Sequence, residues 1–242
     1  MKAHIVYAHP EPTSFTAALK DTAAATLSAR GWTIAVSDLY AERFDPVAGR
    51  HDFTTVADPA RFHYQSEQAY AHANGGFAPD LVREQQRLAG SDLLVLVFPI
   101  WWGAPPAILK GWFDRVLAAG FAYVDGRRFD TGFFREARGI ACVTTGGTAA
   151  RFSADGVYGE IGTVLWPVDR CVLQYLGLET LDPFVAYAAP RVDAAARAGY
   201  LAAWRDRLES IAGQASADAE ARGTSMASIR AISSGGTGAP NR

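Results

Sequence analysis

The sequence predicts one α/β domain on a doubly wound, five-stranded parallel sheet, strand order 2-1-3-4-5, with helices on both faces. Three observations carry this. Strand-like apolar runs alternate with segments of helical periodicity, the pattern that covers a parallel sheet on both sides. The chain has 242 residues, 49% of them hydrophobic. About 210 of them have globular composition, enough for one large core. The run Leu93–Phe98 is unbroken β-favouring apolar sequence, as expected of a strand buried on both faces.

The elements follow in order. His4–Tyr7 reads as the first strand, ended by His9-Pro10. Thr13–Arg30 reads as a helix with Phe15, Ala18, Leu19 and Leu27 on one face. Thr33–Ser37 is the second strand. Residues 40–79 form a long excursion, and its aromatics (Tyr40, Phe44, Phe53, Phe62, Tyr64, Tyr70 and Phe77) argue against disorder. They suggest an arm that packs on something, such as a second subunit. Leu81–Leu88 is a short amphipathic helix and Leu93–Phe98 the third strand. Ala107–Ala118 has Ile108, Leu109, Trp112, Phe113, Val116 and Leu117 at helical spacing, with Pro105 and Pro106 suited to its first turn. Gly139–Val143 is the fourth strand, Thr163–Leu176 a helix, and Glu179–Pro183 a weaker fifth strand. Ala194–Ala212 is the last helix. The domain is therefore expected over residues 1–212. Residues 213–242, where composition turns to Ala, Ser, Gly and Thr, are expected to be a flexible tail.

Composition excludes several classes. A net charge of -2 offers nothing to attract nucleic acid. Cys142 and Cys171 lack metal or redox spacing. No apolar leader precedes the first strand, so cytoplasm is the expected location. Leu93–Leu109 is free of charge, but three prolines and a glycine interrupt it, which argues against membrane insertion. His4, His51, His63 and His72 are scattered and read as surface or core residues. There is no nucleotide-triphosphate, serine-elbow or zinc-protease motif.

Three loops fall at the carboxyl edge, where open α/β sheets bind ligands. After the first strand, Thr13 or Ser14 would cap the next helix, whose free N–H groups favour a phosphate, and His9 could add a hydrogen bond. After the third, Pro99-Ile100-Trp101-Trp102-Gly103 could seat a flat aromatic ligand. After the fourth, Thr144-Thr145-Gly146-Gly147-Thr148 would let backbone N–H groups approach it. Each loop alone also reads as a plain cap, packed aromatics or a simple turn. Together they read as a phosphate seat beside an aromatic slot.

Several segments resemble the NAD(P)H quinone oxidoreductases of the DT-diaphorase type, within the flavodoxin-like superfamily. They are residues 7–15, residues 37–41, Phe98-Pro99 with residues 106–113, residues 144–147, Leu165-Trp166-Pro167, and the helix from Arg197 to Trp204. The resemblance covers about Ala3 to Ile211. It implies a flavodoxin-like fold and FAD, rather than FMN, at a homodimer interface, with NAD(P)H as co-substrate. His9, Thr13, Ser14, Phe15 and Thr16 would hold the pyrophosphate. Pro99, Ile100, Trp101, Trp102 and Gly103 would line the isoalloxazine. Thr144, Thr145, Gly146 and Gly147 would contact its pyrimidine end, and Arg197 and Leu201 would flank the adenine. Tyr123 would cover the partner subunit's substrate pocket. The implied chemistry is ping-pong hydride transfer from NAD(P)H through the flavin to a quinone. The Gly146 and Gly147 N–H groups would stabilise the charge of the reduced ring.

The chain departs from the family pattern at informative places. Phe152 and Tyr158 stand at the positions of the family's tyrosine and histidine, with Trp102, Tyr123, Phe152 and Tyr158 as the expected substrate contacts. Phe152 cannot donate a hydrogen bond, which leaves Tyr158 as the candidate donor. Gly103 replaces a pocket phenylalanine, Thr16 an asparagine and His63 a glutamine. The zinc ligands of some members are absent. Two other functions fit the same resemblance: an azo- or nitro-compound reductase, and a flavin-bearing regulatory subunit of a potassium efflux system.

Overall fold

The computed structural model describes the backbone of residues 1–234 and the side chains of residues 1–217. Four strands carry the sheet: β1 (Lys2–Tyr7), β2 (Thr33–Asp38), β3 (Leu93–Pro99) and β4 (Arg138–Thr144). All pairings are parallel, and the order is the expected one. The fifth strand, expected over Glu179–Pro183, is shorter than that, and a further strand follows it. β5 (Glu179–Thr180) and β6 (Phe184–Ala186) both pair with β4, so the sheet has six strands. Pro183 lies between them and has no N–H to give the ladder.

Every residue of β3 is buried. Its alternating side chains feed two separate cores, because successive residues of a strand face opposite ways. Leu93, Val95 and Val97 pack with α1 (Phe15–Ala29) and α6 (Ala194–Ser234). Leu94, Leu96 and Phe98 pack with α3 (Pro79–Leu88), α4 (Ala107–Val116) and α5 (Ile161–Val168). Trp204 fixes α6 to α1 by donating its indole N–H to the Leu19 carbonyl at 3.1 Å. Cys142 lies in the first core, and burial pushes its thiol well up. No helix among the described residues is long and apolar enough to cross a membrane.

Two expectations change. The excursion is not a bare loop: it contains α2 (Tyr64–Asn74) and a 3-10 turn at Arg50–Asp52. The last helix runs past Ala212 to Ser234, and Ala215 is still buried against the core. Alanine and long-chain residues make up half of residues 213–234, and their helix propensity outweighs the glycines. Residues 235–242 of the expected tail lie outside the described residues.

Candidate functional site

The carboxyl edge of the sheet holds a cavity of about 460 Å³, within the range of small-molecule sites. His9 follows β1, and Ser14, Phe15 and Thr16 open α1. Pro99, Ile100 and Trp101 come at the end of β3, Thr144, Thr145 and Gly146 at the end of β4, and Arg197 comes from α6. Distant loops thus meet as the sequence placed them. Ala189 and Pro190 complete the wall. They follow β6, a strand beyond the expected Glu179–Pro183 that the sequence did not signal, so nothing marked them.

One end of the cavity suits an anion. Ser14 caps α1, its hydroxyl accepting from the Ala17 N–H at 3.1 Å. The Phe15 and Thr16 N–H groups find no acceptor among the described residues, which leaves the positive helix end open. Thr16 and Thr144 join hydroxyls at 2.9 Å and tie α1 to β4. His9 accepts from the Glu11 N–H through Nδ1 at 3.0 Å, so its proton sits on Nε2, free to donate. Burial lowers the His9 pKa and keeps the ring neutral. Thr13 is drawn away: it is exposed and donates to the Glu11 carboxylate at 2.6 Å.

The loop after β3 closes as a tight turn. Trp101 and Ala104 exchange N–H···O bonds of 2.9 and 3.0 Å. Between them Trp102 has φ 52° and Gly103 φ 74°. Glycine adopts this left-handed backbone freely; at Trp102 it costs about 1–2 kcal/mol. The turn points the Trp102 ring into solvent, at 104% relative exposure. Trp101 therefore forms the cavity wall, with its ring 5.9 Å from His9.

After β4 the Gly146, Gly147 and Thr148 N–H groups donate to no protein group among the described residues. Gly147 is backed by two rings: a Cβ there would lie 3.0 Å from Phe152 and 3.2 Å from Tyr158. Those rings are 5.0 Å apart, and Tyr158 is half-exposed. Gly147, Phe152 and Tyr158 thus sit behind the turn rather than in the wall.

Two expected residues lie elsewhere. Leu201 packs into the α1–α6 core beside Phe15 and Tyr200. Tyr123 lines a second, larger groove of about 1070 Å³, whose walls include Phe62, Tyr64, Phe113, Val172 and Tyr175. Its hydroxyl accepts from Gln65 at 3.1 Å. His63 lines the same groove and caps α2 by accepting from the Ser66 N–H.

Comparison with known proteins agrees with this geometry. A family model described as the flavodoxin-like fold matches residues 1–208. NAD(P)H dehydrogenase (quinone) 1 of Cavia porcellus is 40% identical over 211 residues, covering 87% of this chain and 77% of that one. Ribosyldihydronicotinamide dehydrogenase (quinone) of Homo sapiens is 40% identical over 211 residues, covering 87% and 91%. Among solved structures, a Klebsiella pneumoniae protein described as a candidate quinone reductase superposes with a TM-score of 0.82. It is 35% identical and covers 87% of this chain and 85% of that one.

Proposed function

Because the chain belongs to the flavodoxin-like family of NAD(P)H quinone oxidoreductases of the DT-diaphorase type, we propose that it is a cytoplasmic, homodimeric FAD enzyme. It would pass a hydride from NAD(P)H to quinones by a ping-pong route. One observation carries the reading. Two sets of unpaired backbone N–H groups, at Phe15–Thr16 and at Gly146, flank an apolar wall within one cavity, and the unpaired Gly147 and Thr148 N–H groups follow in the same turn.

That donor set fits a flavin. The α1 amides and His9 Nε2 suit the pyrophosphate. Pro99, Ile100 and Trp101 offer a flat apolar surface for the ring system. The glycine-turn amides suit the carbonyls of its pyrimidine edge. Arg197 reaches the wall from α6 and donates from Nε to the Ala189 carbonyl at 3.3 Å. It suits the adenine end and favours FAD over FMN. The bound flavin would supply the two-electron chemistry; the protein would orient it and hold its charge. The second groove, with exposed Phe62 and Trp166 on the molecule, suits an apolar partner and supports the homodimer.

Steady-state turnover with NADH, NADPH and a panel of quinones tests the function. Quinone reduction by the flavin-loaded protein is expected, and none at full flavin occupancy would refute it. A separate prediction concerns the cofactor. Chromatography of flavin released on denaturation is expected to give FAD, and FMN alone would remove the adenine role of Arg197.

A further inference from the structure

The glycine turn after β4 is gripped from one side only. The Ala189 N–H donates to the Thr145 carbonyl at 3.0 Å, and the Ala188 N–H donates to the Gly147 carbonyl at 2.8 Å. The Gly146 carbonyl between them accepts from the Arg191 guanidinium. Every peptide here is trans, so each N–H points away from the carbonyl of its own unit. Holding three successive carbonyls on one side turns the Gly146, Gly147 and Thr148 amides to the other. Backbone donors hold two of these carbonyls; the third depends on one side chain.

The electrostatic setting is one-sided as well. Arg191 makes no ion pair among the described residues, whereas Arg87 and Arg115 each pair with two carboxylates. Arg151 approaches the turn from a second direction, its Cδ 3.6 Å from where a Cβ on Gly147 would lie. It too lacks a carboxylate partner among the described residues. Behind the turn Phe152 offers no donor. The charge available at this end of the cavity is therefore arginine charge.

We propose that Arg191 is a positioning residue for the redox reaction. It holds the Gly146 carbonyl so that the Gly147 amide faces the pyrimidine edge of the flavin, and its charge stabilises the negative charge of the reduced ring. This rests on the flavin reading above. A fixed dipole and a nearby cation act on the reduced, anionic ring far more than on the neutral oxidised one. The effect belongs to the redox equilibrium and only weakly to binding of the oxidised cofactor.

The test is the flavin midpoint potential of the holoenzyme, measured by dye equilibration, together with the affinity for oxidised flavin. Arg191→Ala is expected to weaken binding of reduced relative to oxidised flavin about tenfold, a fall of about 30 mV for a two-electron couple. Oxidised-flavin affinity is expected to stay within about twofold. Arg191→Lys keeps the charge and is expected to recover most of the potential. An unchanged potential in Arg191→Ala overturns the proposal, and so does an equal fall in Arg191→Lys. A purified protein that neither holds nor takes up flavin sinks the parent reading instead, a result distinguishable from both.

Discussion

His4 shows how one side chain acquires a property its sequence position did not announce. Its Nε2 lies 2.8 Å from the Ser37 hydroxyl, which itself donates to Glu84 at 2.6 Å. Nε2 must therefore carry the proton. Nδ1 is buried with no partner, so protonating it would create an unsatisfied buried cation. Burial, with help from Arg87 and Lys2, lowers its pKa from 6.5 to about 3. A depressed histidine binds its proton more readily unfolded. Stability is thus full above pH 6.5 and is lost as pH falls from there toward 3. Urea midpoints across this window should fall less steeply in His4→Asn than in the native chain; equal slopes would remove His4 from the acid response. Tyr158 poses the complementary question. If its hydroxyl reaches the reduced ring, Tyr158→Phe should slow flavin reduction by NAD(P)H while leaving FAD bound. Its half-exposure makes the loss smaller than the ~10²–10³-fold of a buried donor. Phe152→Tyr should act oppositely. Stopped-flow traces unchanged in both variants would leave the turn amides as the stabilisers.

At the scale of elements, the arm of residues 40–79 is held by its own chain. Arg115 on α4, 1% exposed, bonds Asp52 at 2.6 Å and Asp80 at 3.1 Å, and donates to the Asp45 carbonyl. Phe44 lies under its guanidinium at 4.9 Å. The arm backbone comes so close to α4 that a Cβ on Gly111 would lie 2.3 Å from the Pro46 carbonyl oxygen. Phe53, Phe62, Tyr64 and Phe77 form one ring cluster. Removing Arg115 would take the buried guanidinium from the Asp52 carboxylate and leave it the Tyr64 hydroxyl, the Gly49 N–H and the half-exposed His51 ring. Arg115→Ala should therefore cost about 3–5 kcal/mol, read as a lower denaturation midpoint, and should disturb the Tyr123 groove that the arm borders. A loss under about 1 kcal/mol would mean that the aromatic cluster alone holds the arm. The sequence signalled the arm's order through its aromatics. It could not signal the anchor, because Asp52, Asp80 and Arg115 are far apart in the chain and look like ordinary surface charges.

For the whole molecule, the groove of about 1070 Å³ and the 56% exposure of Trp166 are the features a monomer would have least use for. Light scattering should give a dimer, with an interface on the order of 2,000 Å²; a monomer at full flavin occupancy would refute this. Much else was legible beforehand. Strand order, the two covered faces and the meeting of the β1, β3 and β4 loops follow from local patterns. An uncharged apolar run, a serine cap and a glycine pair each determine their own conformation within a few residues. The tertiary structure alone decided the rest. It turned Trp102 outward and made Trp101 the wall, because a two-residue turn leaves only one of adjacent rings facing in. It added a sixth strand beyond Pro183 and brought Ala189 and Pro190 to the cavity. It also put Arg191 behind a glycine turn 45 residues away in sequence. These outcomes depend on which distant backbone groups are left to satisfy, and a carbonyl's partner is chosen by packing rather than by neighbouring residues.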